Sequence, residues 1–178
     1  ECAEQLKTPL LKVNSNLDLF YDNKLLNFLY NHTLRNVSVA LLIQQGINQF
    51  YYASAYHLSD FQFYKRPAIA HLDPMLLPLL STENIAVLPH GTLLTRLAKT
   101  QLITGFPKSY QYLDVCVDEE SESNCSNCYK CRRTMATLDI LGKRELYKEV
   151  FDFSLYDKKK FNIFYELYSD KAPMHVER

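Results

Sequence analysis

The sequence predicts an α/β fold, with a parallel sheet covered by helices on both faces and a metal-organised helical segment after it. Three observations carry this. Short aromatic and aliphatic runs alternate with helix-period stretches over residues 10–103, the pattern of parallel strands joined by crossover helices. Four cysteines at 116, 125, 128 and 131 follow a spacing that suits one metal ion. The chain has 178 residues, 47% hydrophobic and 22% charged, enough for a packed core. The change of pattern places one region at 1–109 and a second at 110–178.

The first predicted strand is Leu10–Val13, closed by Asn14-Ser15-Asn16. A helix is expected from about Leu17 to Tyr30, where Leu17, Phe20, Leu25, Phe28 and Leu29 fall near helical spacing. A second helix, Arg35 to Gln45, stops at Gly46. Phe50–Ala53 reads as a strand that runs into Ser54-Ala55-Tyr56, and 57–72 as an aromatic and polar loop. Asp73-Pro74 gives a helix start with Asp73 as N-cap. Ile85–Leu88 is the next strand, closed by Pro89-His90-Gly91 and followed by a helix from Thr92 to Ile103. Beyond it come a strand at Tyr110–Cys116, a cysteine loop, a helix from Cys128 to Leu141 ending at Gly142, and two short helices. Asp157-Lys158-Lys159-Lys160 reads as a solvated helix start.

Lys plus Arg and Asp plus Glu number 20 each, so no global field draws in nucleic acid or an anionic membrane. Apolar runs such as Val39–Ile43 and Met75–Leu80 are too short to span a bilayer. Glu1-Cys2-Ala3 shows neither an initiator Met nor the basic and apolar regions of a signal peptide, so the expected context is a longer gene product, although a cleaved signal peptide would leave the same start. Three sequons, at Asn31, Asn36 and Asn124, oppose an intracellular reading. The odd cysteine total and the crowding of three cysteines into seven residues favour reduced thiols and a cytoplasmic setting.

Cys116, Cys125, Cys128 and Cys131 form C-x8-C-x2-C-x2-C. Two overlapping C-x2-C turns supply three thiolates, and Cys116 supplies the fourth from the end of its predicted strand. Four thiolates close the coordination shell, so the expected metal is a structural zinc rather than a catalytic one. Lys130, Arg132 and Arg133 follow closely and offset the negative charge of a zinc tetrathiolate. Cys2 lies outside the pattern as a lone thiol.

The stretch Asn124-Cys-Ser-Asn-Cys-Tyr-Lys-Cys-Arg-Arg-Thr-Met-Ala-Thr-Leu-Asp-Ile-Leu-Gly142 resembles the C-terminal zinc segment of the 7-cyano-7-deazaguanine synthase family, within the PP-loop (N-type) ATP pyrophosphatase superfamily. It is also similar to uncharacterised relatives with a Cys-x-x-Cys-x-Lys-Cys-x-Arg-Thr-Met segment. Leu34-Arg35-Asn36 looks like the superfamily's Gly-Arg-Asn segment, and Ser54-Ala-Tyr-His-Leu-Ser-Asp60 occupies the place of an active-site loop. The resemblance covers residues 10–142. It implies part of a doubly wound, Rossmann-like sheet of the adenine-nucleotide α-hydrolase type. It also implies an ATP-dependent ligase that adenylates a carbonyl or carboxylate and forms a C–N bond on a small-molecule substrate.

Two departures limit that implication. The superfamily's phosphate loop, Ser-Gly-Gly-x-Asp-Ser, does not occur, and the four glycines at 46, 91, 105 and 142 build no phosphate cradle. ATP and Mg are therefore expected only with a further N-terminal segment, as partner or as preceding chain, and a homodimer is the other way to cover the sheet. Leu34 also replaces the glycine before the Arg-Asn pair. The residues the resemblance offers to a nucleotide are Asn16, Arg35, Asn36, Ser54, Arg96 and Lys99, with no catalytic residue assignable. Each has a plainer reading: Asn16 and Asn36 as caps, Arg96 and Lys99 as a solvated helix face. His90, Asp60 and Asp73 are weaker candidates of the same kind. The alternative function is a zinc-stabilised α/β binding module without turnover. A tRNA-thiolation relative, whose cysteines do chemistry, is a third reading.

Overall fold

The structure, a computed structural model, describes residues 2–17, 19, 27–61, 63, 68–118 and 123–168. The chain divides into two compact units, Pro9–Thr95 and Glu1–Thr8 with Arg96–Arg178.

In the unit Pro9–Thr95 two described strands form a small parallel sheet with helices packed against it. Helix α1 (Phe28–Leu42) buries Thr33, Val37 and Ala40, positions that recur at helical spacing along one stripe. Strands β1 (Gln49–Ala53) and β2 (Ala86–His90) run parallel, with Phe50 opposite Val87 and Tyr52 opposite Pro89. Helix α2 (Asp73–Leu79) lies between them in sequence, so the crossover expected of a parallel pair is present. Val37 of α1, Leu77 of α2 and Val87 of β2 form the core, joined by Leu41, Phe50, Tyr52 and Leu80. Alternate residues of a strand point to opposite faces. Phe50 and Tyr52 meet the helices, whereas Tyr51 between them is 58% exposed.

The fold class is therefore mixed: helices packed on a two-stranded parallel sheet among the described residues. Helices on both faces of a larger sheet are not what these residues show. Among the described residues the expected strand Leu10–Val13 has no ladder partner, and Leu10 and Leu11 are 63% and 68% exposed. A short extended run gains stability only where a neighbouring strand takes its backbone groups, and none does here. The predicted strand Ile85–Leu88 begins one residue later, at Ala86, and continues through Pro89 to His90. Proline is tolerated because β2 is an edge strand.

Three other expectations change. Most of the predicted helix 17–30 lies outside the described residues, but its end, Phe28–Tyr30, belongs to α1, which runs on through the expected break at Asn31–Leu34. Arg35 and Asn36 thus sit in mid-helix instead of opening one. Asp73 is not an N-cap: Leu72 holds that position, while Asp73 is already helical and fully buried. The helix expected from Thr92 begins at Arg96, because Gly91, at φ +78°, starts a turn in which Leu94 N–H donates to the Gly91 carbonyl.

The other unit contains α3 (Arg96–Ile103), the single turn α4 (Ser109–Tyr112), α5 (Tyr129–Ile140) and α6 (Phe153–Tyr168). Its core is built from Cys131, Met135 and Leu138 of α5, Tyr147, and Tyr156 and Ile163 of α6. α5 stops at Gly142, at φ +63°, where Lys143 N–H reaches the Leu138 carbonyl across the helix end. The predicted strand Tyr110–Cys116 is not a strand. Its first residues close the turn α4, and 113–118 follow as an unladdered arm. Of the two short helices expected after Gly142, one is a 3-10 turn, Arg144–Tyr147, and the other is the 16-residue α6. Asp157–Lys160 lie within α6, not at its start, and Asp157 takes both guanidinium nitrogens of Arg144 at 2.7 and 3.0 Å. Among the described residues no helix is long and apolar enough to cross a membrane.

Candidate metal centre

Cys128 is the N-cap of α5, with an extended backbone and a sulfur that accepts the Cys131 N–H. Cys131 lies on the first turn of that helix and faces the core, fully buried. Cys125 stands one turn earlier in a loop where Ser126 takes φ +57°. Such a conformation is uncommon outside glycine. It is held by the Ser126 hydroxyl, which accepts the Asp152 N–H at 2.9 Å just before α6. Cys116 arrives from the arm 113–118.

Four Sγ atoms, from the arm, from the loop that leads into α5 and from the first turn of that helix, thus converge, all within 4.8 Å of one another. Thiolates about 2.3 Å from a central zinc would stand about 3.8 Å apart at the corners of a tetrahedron. Cys116 and Cys128 Sγ are 4.0 Å apart, close to that edge length. Disulfide sulfurs stand about 2.0 Å apart, and all four cysteines are free thiols. The residues fit a metal ion such as zinc, and a sulfur-only set leaves hard oxygen-seeking ions aside.

Backbone amides surround the sulfurs and prepare them for a cation. Cys116 Sγ accepts N–H groups from Asp118 and Cys125, both at 3.4 Å, and Cys125 Sγ accepts the Cys128 N–H at 3.2 Å. These donors favour a thiolate. The N–H groups of Cys125 and Asp118 hold the Cys116 thiol below its ordinary value. At Cys128 burial works the other way, yet the N–H groups of Cys131 and Val117 bring the thiol down to about 7. Cys131 is pushed up by burial and by Cys128 beside it. A divalent cation would offset that cost for the pair. Glu119, Glu120 and Glu122 lie outside the described residues.

The residues considered for a nucleotide are divided between the two units. Asn16, Arg35, Asn36 and Ser54 belong to Pro9–Thr95, and Arg96 and Lys99 to the other. Asn16 is exposed, and its carbonyl accepts the Leu19 N–H, a local turn. Arg35 lies 5.9 Å over the Phe28 ring two helix turns earlier in α1, and Asn36 Nδ2 donates to Tyr52 Oη at 3.0 Å. Ser54 N–H donates to the His90 carbonyl and so extends the pairing of the two strands by a residue. His90 packs edge-on against Tyr51. The Asp60 carbonyl meets His71 Nδ1 at 3.2 Å.

The sequence reading missed two polar groups. One is the Thr33–Asp73 hydrogen bond, 2.8 Å and buried, hidden because Asp-Pro reads so readily as a cap. The other is Asn124, which the sequon pattern marks only as a surface acceptor. Its amide is instead tied to two backbone groups of the arm that carries Cys116. Comparison of the chain with family models, with curated proteins and with solved structures returns no match.

Proposed function

We propose that this chain is a zinc-stabilised α/β module whose Cys116–Cys125–Cys128–Cys131 centre holds one structural zinc ion. The observation that carries the reading is the convergence of four free Sγ atoms within 4.8 Å. A closed sulfur shell leaves no position for water or substrate, so the ion acts on folding and not on chemistry. The test is native mass spectrometry with metal analysis on chain purified without added metal. One zinc per chain is expected, with four thiols shielded from alkylation until a chelator is added. A metal-free protein whose four thiols alkylate at once, or pair as disulfides, sinks the reading.

Within that reading the module belongs to a PP-loop type architecture and binds a nucleotide or a protein partner without turnover. Support comes from the zinc segment's resemblance and from the parallel pair β1–β2, at whose C-terminal ends stand Ser54 and His90, the place where open α/β sheets bind ligands. The second reading, a portion of an ATP-dependent C–N ligase, draws on the same features but needs a phosphate loop that another segment would supply. Mid-helix Arg35 and the engaged side chain of Asn36 favour the module. Adding a polypeptide that carries a Ser-Gly-Gly-x-Asp-Ser loop separates the two: ATP-dependent pyrophosphate release then favours the ligase.

A further inference from the structure

Cys125, Cys128 and Cys131 come within seven residues of one another, so the chain itself brings them together. Cys116 does not share that advantage. It is nine positions from Cys125, on an arm with no strand partner, and something other than local sequence must set it at the fourth corner.

Asn124 is the group in place to do so. Its Oδ1 accepts the Val115 N–H at 2.9 Å, and its Nδ2 donates to the Leu113 carbonyl at 2.7 Å. These two backbone groups flank Asp114 on one edge of the arm, and they are the pair that a neighbouring parallel strand would take. One carboxamide therefore stands in for a peptide group and supplies a one-residue ladder. Its orientation follows from its partners, because a flipped amide would set donor against donor and acceptor against acceptor. The same Oδ1 lies 3.8 Å from Cys131 Sγ, so the amide sits between the arm and the helix-borne thiol. Asp114 Oδ1 accepts the Cys116 N–H at 3.0 Å and turns the backbone toward the site at the same point.

We propose that Asn124 is a positioning residue for the metal centre: it clamps the Leu113–Val115 backbone so that Cys116 closes the shell as fourth ligand. The proposal rests on the metal reading above. Without the clamp the three local thiolates still gather, and Cys116 competes with water for the last position. Side chains that orient ligands from outside the shell typically alter metal affinity about 10–100-fold.

The experiment uses the full chain loaded with Co2+, whose thiolate charge-transfer bands report how many sulfurs bind. Wild type is compared with Asn124→Ala, Cys116→Ala and Met135→Ala. In Asn124→Ala the charge-transfer intensity should fall by about a quarter, one thiolate of four, to match Cys116→Ala. Release of the ion to a chelator should quicken about 10–100-fold. Met135→Ala empties a buried position in the same core and lowers stability, but it should keep the four-sulfur spectrum. A merely structural Asn124 would behave like Met135→Ala, with spectrum and release unchanged, and the proposal would fall. Loss of the fold in Asn124→Ala but not in Cys116→Ala would assign Asn124 to the scaffold at large and also overturn it. If wild type takes up no cobalt, the metal reading itself fails, a result distinct from either.

Discussion

Asp73 is a fully buried carboxyl at the start of α2 that accepts the Thr33 hydroxyl, while its Oδ2 has no partner among the described residues. Burial disfavours the charged form more than the Thr33 bond favours it, and the group titrates at about 6 instead of 3.8. A carboxyl raised in the folded state costs stability once pH passes the unfolded value, and the full cost is present above the folded value. Unfolding free energy should therefore fall between about pH 4 and pH 6 from this group. Asp73→Asn mimics the protonated form. It should raise stability at pH 7.5 by about 1–3 kcal/mol, with the gain shrinking to nothing near pH 4. Urea unfolding of both proteins across that range checks the sign, and a variant less stable than wild type at pH 7.5 would refute it. In sequence Asp73 is indistinguishable from a cap, because the cap rule sees Pro74 and not Thr33 forty residues earlier. The four cysteines carry their own spacing and are readable directly.

Between helices, α5 and α6 are tied through Asp139. Its carboxylate accepts the Tyr156 hydroxyl at 3.0 Å and pairs with Lys160, with Arg144 at 3.8 Å. Lys160, then Tyr156, holds the Asp139 carboxyl below its ordinary range. Tyr156 is fully buried, so Asp139→Ala strands its hydroxyl, a loss of about 1–3 kcal/mol. Tyr156→Phe should cost less, because Asp139 keeps its two cations. A depressed carboxylate contributes stability above its unfolded value and loses it as pH falls through the folded one, so the part of the Asp139→Ala penalty that comes from its two cations should fade below about pH 4, while the stranded-hydroxyl part persists. Thermal unfolding of both variants measures the order. Elements of this kind are legible when their pattern is local. Tyr129–Ile140 has a cap, a periodic buried stripe and a glycine stop, and the two strands are short apolar runs with turn residues at their ends. Leu10–Val13 and Tyr110–Cys116 look the same in sequence. Whether such a run becomes a strand depends on a neighbour at long range, and at Leu113–Val115 that neighbour is one side chain.

At the scale of the whole molecule, metal removal is expected to act first on the unit that holds the site. All four cysteines lie in the unit that includes Arg96–Arg178, so chelation should raise amide exchange around Cys116–Gly142 and α6 while the Phe50–Val87 pairing keeps its protection. Equal loosening of β1 and β2 would show that the metal supports both units. Triphosphate binding of the PP-loop kind needs several backbone N–H groups aimed at one anion at the mouth of a helix. Gly46 and Gly105 end helical turns, and Gly91 and Gly142 each serve a single left-handed position, so none belongs to a glycine-rich cradle. What is left is side-chain charge. It comes from residues such as Arg35, Arg96 and Lys99, and an exposed ion pair contributes about 0–1 kcal/mol. Even millimolar affinity takes about 4 kcal/mol. The chain alone should therefore show no micromolar ATP binding by calorimetry and no pyrophosphate release. Micromolar binding that is lost in Arg35→Ala or Lys99→Ala would mean that a phosphate site forms by a route that these residues, and not glycine amides, provide.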